Sequence, residues 1–406
     1  MEKLSVSKKK NALALFAWGA WGLALIVIFV RVWFKPGSHS VFTVFRQAGA
    51  HWMKAESLYG QAGTWQGSKF LYSPLAAAAF APFSLLPENI AGVAWRLIGG
   101  AALMAAAYAI SRIVWAGPSV SWKRSAGLLA LLPVSLSNLN NGQANPLVLG
   151  LILFSVVSLL TERWFLCALC LGIVGYFKLY PLALGLLLAV VFPRRLPWRL
   201  LIAVTGLFVL SLLLQHPSYV ISQYADWMAH LGELRRRSAG EFGRWRDAYF
   251  LLRTAHVPIT PRLWVVAEVI TGIGAGAFCV WGVYRGWQAG RRVFAATGLG
   301  CVWMVLFGPA SEAASYMLLA PAMIYGVLQS WTRPLSPAIR FGMTAAYGGL
   351  VLADICDSWL RLKGYSVYAL SLQPIVASIF LVTAIAWLLA DNYWTGEKES
   401  DERARA

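Results

Sequence analysis

Four stretches of the sequence hold side chains at spacings that could do chemistry. Asn138-Leu-Asn-Asn-Gly-Gln-Ala-Asn-Pro146 is the densest uncharged polar cluster, set between two apolar runs. Side-chain amides offer paired donors and acceptors, the chemistry that orients sugar hydroxyls, while Gly142 and Pro146 shape a turn. Asn141, Gln143 and Asn145 are therefore candidate sugar or acceptor ligands, against the plainer reading of a helix-connecting turn. Lys178, in Gly175-Tyr-Phe-Lys-Leu-Tyr-Pro181, stands between two apolar stretches. An ammonium there needs an anionic partner or a route to water along its own stem, so it is a candidate for a phosphate or pyrophosphate. Arg244-Trp-Arg-Asp-Ala-Tyr249 places two cations and an acid within four residues. Guanidinium groups match phosphate oxygens in planar, bidentate fashion, so Arg244 and Arg246 are candidate phosphate ligands. Asp247 is either a base or an ion-pair partner for these arginines. Gly308-Pro-Ala-Ser-Glu-Ala-Ala-Ser315 puts Glu312 just before an apolar run. There it orients or deprotonates a substrate hydroxyl, or else Ser311 or Glu312 caps the helix that follows.

Soluble-enzyme motifs are missing: no Gly-x-Gly-x-x-Gly, no Walker loop, no His-Glu-x-x-His and no Gly-x-Ser-x-Gly occurs. The five histidines are scattered at 39, 51, 216, 230 and 256, and the Cys167-x-x-Cys170 pair has no second ligand pair after it. We therefore expect no metal and no cofactor.

The elements that must carry these groups follow from composition. The 406 residues are 59% hydrophobic and only 13% charged, with a mean hydropathy of +0.61. That excludes a soluble globular protein, a disordered chain and a coiled coil. Apolar stretches run to about 20 residues, the length that crosses roughly 30 Å of hydrocarbon. The reading is an all-α, polytopic integral membrane protein of about 12 helices, near 12–33, 89–114, 125–138, 144–160, 164–177, 179–193, 198–215, 262–284, 293–309, 313–330, 338–354 and 369–391. Residues 1–391 read as a single membrane domain and 392–406 as a polar cytoplasmic tail. The first apolar stretch is too long for a signal-peptide core, so we expect it to be retained.

The net charge of +18, from 35 Lys and Arg against 17 Asp and Glu, calls for no nucleic acid. Basic residues collect at cytoplasmic helix ends, and starting with Lys8-Lys9-Lys10 inside puts positive charge in every alternate connection. On that alternation both termini are cytoplasmic, and the long polar connections 34–88, 216–261 and 355–368 are external. In the first, Val41 to Lys54 has Val41, Phe45, Ala48 and Trp52 on one side and Arg46, Gln47 and Lys54 on the other. That spacing reads as an amphipathic helix lying in the outer interface, with Arg46 a further candidate for the donor phosphate. The connection 216–261 breaks the charge rule with Arg235-Arg236-Arg237, Arg244, Arg246 and Arg253, for which an anionic ligand is the economical reason, against lipid headgroups or the local acids Glu233, Glu241 and Asp247 as their partners.

The order of these elements resembles glycosyltransferase family 87, multispan enzymes of the GT-C superfamily that use polyprenyl-phosphate sugars, typically mannose. The matching residues are Phe42-Thr-Val-Phe-Arg-Gln-Ala48, Ala55-Glu-Ser-Leu-Tyr59, Phe70-Leu-Tyr-Ser-Pro74, Pro82-Phe-Ser-Leu-Leu-Pro87 with Trp95, Asn141-Gly-Gln-Ala-Asn145, Lys178-Leu-Tyr-Pro181 and Pro309-Ala-Ser-Glu312. The resemblance implies a GT-C-like fold. It also implies a sugar-transfer reaction on the outer face of the cell (inner) membrane, from a polyprenyl-phosphate donor to a lipid or glycan acceptor. Tyr72 joins the candidate sugar ligands on this ground. Family members carry an Asp at the start of the first external loop, where this chain reads Ser38-His-Ser-Val-Phe42. The base is then Asp247, Glu312, Glu56 or His39, or the reaction has been lost or changed. Two other readings stay open: a non-catalytic glycan-lipid-binding relative, and a transporter or lipid flippase.

Overall fold

The computed structural model describes residues 2–60, 64–65, 68–117, 119–237, 245–308, 311–363 and 372–390, with backbone alone for 2–10, 64–65, 68, 233–237 and 357–363. Arg244, Pro309 and the tail 392–406 lie outside these residues, as do the side chains of Arg235, Arg236 and Arg237. The chain divides into two compact units, Met1–Gly185 with Arg194–Glu241, and Leu186–Pro193 with Phe242–Ala406.

The first unit holds α1 (Glu2–Phe34), α2 (Phe42–Met53), α3 (Pro74–Ser84), α4 (Glu88–Val114), α5 (Ser121–Asn140), α6 (Asn145–Leu160), α7 (Trp164–Phe177), α9 (Pro197–Leu214) and α10 (Pro217–Arg237). The boundary between the units runs through α8 (Leu182–Val191). Thr64–Trp65 and Ser68–Lys69 form a two-residue antiparallel pair. Proline opens α3, α6 and α9, where its missing N–H costs nothing, and the Ser73 hydroxyl accepts from Ala76 N at the start of α3. Close crossings rely on glycine. A Cβ on Gly150 of α6 would lie 2.8 Å from the Ala102 carbonyl carbon of α4, and one on Gly49 of α2 would lie 2.5 Å from the Phe80 carbonyl of α3. Around the second crossing Phe42, Phe45, Phe80, Phe83, Trp95 and Phe177 form one aromatic cluster, with the Phe45 and Phe80 rings stacked at 4.8 Å.

The second unit holds α11 (Ala248–Thr254), α12 (Pro261–Tyr284), α13 (Ala289–Leu306), a 3-10 helix (Ala313–Leu319), α14 (Ala320–Ser330), α15 (Pro337–Lys363) and α16 (Leu372–Leu389). Trp303 of α13 donates to the Glu268 carbonyl of α12 at 3.1 Å, and Arg291 of α13 donates to the Leu388 carbonyl of α16. Trp264 stacks on Phe307 at 5.5 Å.

Each apolar segment read from the sequence overlaps a helix among the described residues. Among the described residues six are long and apolar enough to cross a membrane: Asn11–Phe34, Glu88–Val114, Pro197–Leu214, Pro261–Tyr284, Pro337–Cys356 and Leu372–Leu389. Asn145–Leu160, Trp164–Phe177 and Leu182–Val191 are apolar but shorter. The segment expected over 179–193 starts only at Leu182, because Lys178 is extended (φ −142°, ψ 128°) and Pro181 follows it. The larger departure concerns 216–261, read as a polar loop. It contains the 21-residue α10 and the short α11.

Candidate functional site

The polar turn after α5 is a hub in the first unit. Asn138 and Asn145 are fully buried and bonded to each other, Asn145 Nδ2 donating to Asn138 Oδ1 at 2.8 Å. Lys178 Nζ donates to the other face of the same amide, Asn145 Oδ1, at 2.6 Å. Asn138 thus fixes which way the Asn145 amide points, and Asn145 in turn aims the ammonium. The same ammonium also lies over the Tyr180 ring, 5.5 Å from its centroid. Gly142 adopts φ +65°, and its carbonyl accepts from Trp95 Nε1 at 2.9 Å, which sets the turn on the aromatic cluster.

Two arginines that the sequence reading did not single out complete this hub. Arg96, buried in α4, donates from Nε and Nη2 to the Asn140 carbonyl at 3.3 and 2.9 Å, from Nη2 to Ser40 Oγ at 3.1 Å and from Nη1 to the Gly92 carbonyl at 2.9 Å. Arg31, in the last turn of α1, donates to Asn140 Oδ1 and, at 2.8 Å, to the Ser38 carbonyl. Asn141 contributes its carbonyl, which accepts from Val41 N at 2.9 Å. Gln143, half-buried, donates its backbone N–H to the Asn138 carbonyl at 2.9 Å. The first loop, Ser38 to Val41, is therefore fastened onto the amide turn from both sides. The signal for Arg96 was legible, since a charged residue inside the apolar run 89–114 has to be held by something.

The other candidates of the first unit sit as follows. Arg46 donates from Nη2 to the Leu86 carbonyl at 3.0 Å and the Ser84 carbonyl at 3.4 Å, so its guanidinium serves the end of α3. Tyr72 packs its ring against Phe45 at 4.8 Å and Phe70 at 5.7 Å, while its carbonyl accepts from the Tyr59 hydroxyl. Glu56 is exposed, 3.5 Å from His51 Nδ1, and its carbonyl accepts from Tyr219 at 2.7 Å. His39 is exposed, with φ 49° in the left-handed region.

That Tyr219 bond belongs to a stripe. Tyr219, Gln223 and Trp227 recur every four residues along α10, and they reach the Glu56 carbonyl, Leu58 N and the Leu71 carbonyl. Gln215, four residues earlier, donates to the Trp52 carbonyl at 2.9 Å. One face of α10 thus holds the backbone at Glu56, Leu58 and Leu71.

In the second unit Asp247 is the N-cap of α11: its Oδ1 accepts from Phe250 N at 2.8 Å. Burial pushes its carboxyl up to about 6; the Phe250 N–H opposes that shift, and the nearby Glu268 adds to it. Arg246, also buried, donates from Nη1 to the Trp245 carbonyl at 3.0 Å and from its backbone N–H to the Ser311 carbonyl at 2.7 Å, while its own carbonyl accepts from the Tyr316 hydroxyl. Glu312 occupies the N-cap position of the 3-10 helix without a side-chain cap bond, and Ser311 instead donates to the Met304 carbonyl at 3.1 Å. Neither residue caps that helix through its side chain. Among the described residues no three His, Cys, Asp or Glu gather in a way that could hold a metal ion.

The amide-lined turn and its oriented ammonium belong to a chain that has, among its described residues, six helices long and apolar enough to cross a membrane. The pattern of glycosyltransferase family 87 matches residues 70–309. The chain belongs to glycosyltransferase family 87. It is a multi-pass membrane glycosyltransferase, and the matched range takes in the amide turn, Lys178 and Asp247, while His39, Arg46 and Glu56 precede it and Glu312 follows it. Among solved structures, that of ArnT from Cupriavidus metallidurans bound to undecaprenyl phosphate is similar at 14% identity, over 91% of this family 87 chain and 77% of that one, with a TM-score of 0.37. So loose a superposition carries no inference about ligands or site residues. No curated protein sequence matches the chain.

Proposed function

We propose that this family 87 enzyme transfers a sugar, mannose in the first instance, from a polyprenyl-phosphate donor to a lipid or glycan acceptor at the outer face of the inner membrane, with both termini cytoplasmic. The observation that carries this reading is the Lys178 to Asn145 to Asn138 chain of hydrogen bonds. The amide fixes the place of an ammonium, a group that stabilises a developing phosphate charge. In the reaction the acceptor oxygen bonds to the anomeric carbon as the bond from that carbon to the phosphate oxygen breaks. The electron pair goes to the departing prenyl phosphate, beside Lys178, and the acceptor's proton goes to a base. Amides of the turn, Gln143 and Asn141 among them, orient the sugar hydroxyls. A donor entering sideways from the bilayer accounts for a transferase built of membrane helices.

The test is sugar release from polyprenyl-phosphate mannose by the purified protein in nanodiscs. Turnover that falls about a hundredfold in Lys178→Ala, a loss of roughly 2.7 kcal/mol, supports the reading. The missing acid at Ser38 to Phe42 favours one competitor, a relative that binds the donor without turning it over. Donor binding with no release from any polyprenyl-linked sugar would establish that competitor. Substrate counterflow without turnover would establish a transporter.

A further inference from the structure

The first loop is held at the Ser38 carbonyl, at the Ser40 hydroxyl and carbonyl and at Val41 N. Arg31 takes the Ser38 carbonyl, Arg96 takes the Ser40 hydroxyl, Thr43 Oγ1 donates to the Ser40 carbonyl at 3.0 Å, and the Asn141 carbonyl takes Val41 N. Both arginines also bond to Asn140, Arg31 through the side chain and Arg96 through the carbonyl, so the loop is registered against the amide turn that aims Lys178. Between the two gripped serines sits His39, exposed, at φ 49°. A non-glycine residue in that region persists because its surroundings over-determine it, and such residues cluster at functional sites. Its ring makes no hydrogen bond among the described residues, whereas its neighbours on both sides are tied down.

We propose that Arg31 and Arg96 are positioning residues that present His39 as the proton acceptor of the transfer reaction. This rests on the transferase reading above and supplies its base. A neutral imidazole nitrogen takes the proton of the acceptor hydroxyl as the acceptor oxygen bonds to the anomeric carbon, and the phosphate leaves with the electron pair of the broken bond. The arginines touch no substrate. Their guanidinium protons are directed to the loop and the turn, and their effect on the reaction runs through the place they give His39.

The test uses the full chain in nanodiscs, polyprenyl-phosphate mannose as donor and water as acceptor, with donor binding measured alongside. His39→Asn keeps a residue that tolerates the left-handed conformation while removing the proton acceptor. Its kcat should fall by at least about a hundredfold, with donor affinity unchanged. His39→Gly leaves room beside a permissive backbone, so added imidazole should restore part of its rate. Arg96→Lys keeps the charge but loses the planar fork that reaches Ser40 and Asn140 together; its kcat should fall about tenfold, and imidazole should not restore it. His39→Asn turning over at the wild-type rate overturns the assignment. So does a His39→Gly protein that binds donor, turns nothing over and gains nothing from imidazole. A wild-type protein that releases no sugar is a different failure: it removes the transferase reading, and this assignment with it.

Discussion

Lys178 and Asp247 are both ionisable caps at helix ends of the sign that the helix dipole favours, a cation after α7 and an anion before α11. Their surroundings differ. Lys178 is half-buried, and its ammonium rests on a side-chain amide that is itself locked by a second amide. Asp247 is buried, and its carboxylate accepts the N–H of its own helix beside another acid, Glu268. The first arrangement directs a cation through two side-chain amides; the second spends the charge on the local backbone. A cap bond and burial together are enough to explain Asp247 structurally, whereas a turn of four asparagines and a lysine holds more directed polar groups than joining α5 to α6 requires.

The sharpest way to break this contrast is through Arg96. Arg96→Leu keeps the volume apolar but leaves the half-buried Asn140 carbonyl and Ser40 hydroxyl without their donor. Thermal unfolding in detergent should show a loss of about 3 to 5 kcal/mol, while a nearly neutral result would mean the hub is not held from α4. The Asp247 side is tested by pH. Its folded value of about 6 lies above the ordinary 3.8, so the folded state binds the proton more tightly and stability falls as pH rises between those values. The penalty, about 3 kcal/mol once Asp247 is ionised, should vanish in Asp247→Asn, whose amide still caps α11. Unfolding curves of the two proteins that run parallel from pH 4 to pH 6 would contradict the buried, shifted carboxyl.

A smaller effect is expected where the aromatic cluster supports the hub. Gly49→Ala adds a methyl that would sit 2.5 Å from the Phe80 carbonyl, forcing α2 and α3 apart. We expect a loss of about 1 to 3 kcal/mol in stability, with α3 moving under Ser73; stabilisation by the better helix former would show the crossing to be loose. At the bottom of the scale, EDTA should leave sugar release unchanged, because the side-chain chemistry proposed for Lys178 and His39 uses no metal. Activity lost to EDTA and restored by manganese or magnesium would sink that expectation.

Much of the membrane architecture was legible because spanning length and apolar composition are one-dimensional properties. The runs 198–215 and 262–284 correspond to α9 (Pro197–Leu214) and α12 (Pro261–Tyr284) within a residue at each end. Proline at the helix start accounts for that agreement. The amphipathic reading of Val41 to Lys54 likewise found α2, since Phe45, Ala48 and Trp52 are buried as their spacing implied. α10 was missed for a physical reason. Its basic and polar residues read as loop, although Val220, Tyr224, Trp227 and Leu231 recur at helical spacing and Val220 and Trp227 are buried.

By itself the sequence determined that this chain lives in a bilayer, roughly where it crosses, and that Asn141, Gln143, Asn145 and Lys178 are polar groups in apolar company; hydropathy and spacing carry that much. What only the tertiary structure decided is which of those groups meet. Asn138 lies seven residues from Asn145 and forty from Lys178, and Ser38 and Ser40 are about a hundred residues from the Asn140 that shares their arginines. Hydrogen bonds depend on distance and direction in three dimensions. The packing of α1, α4 and α6 around the turn brought them together.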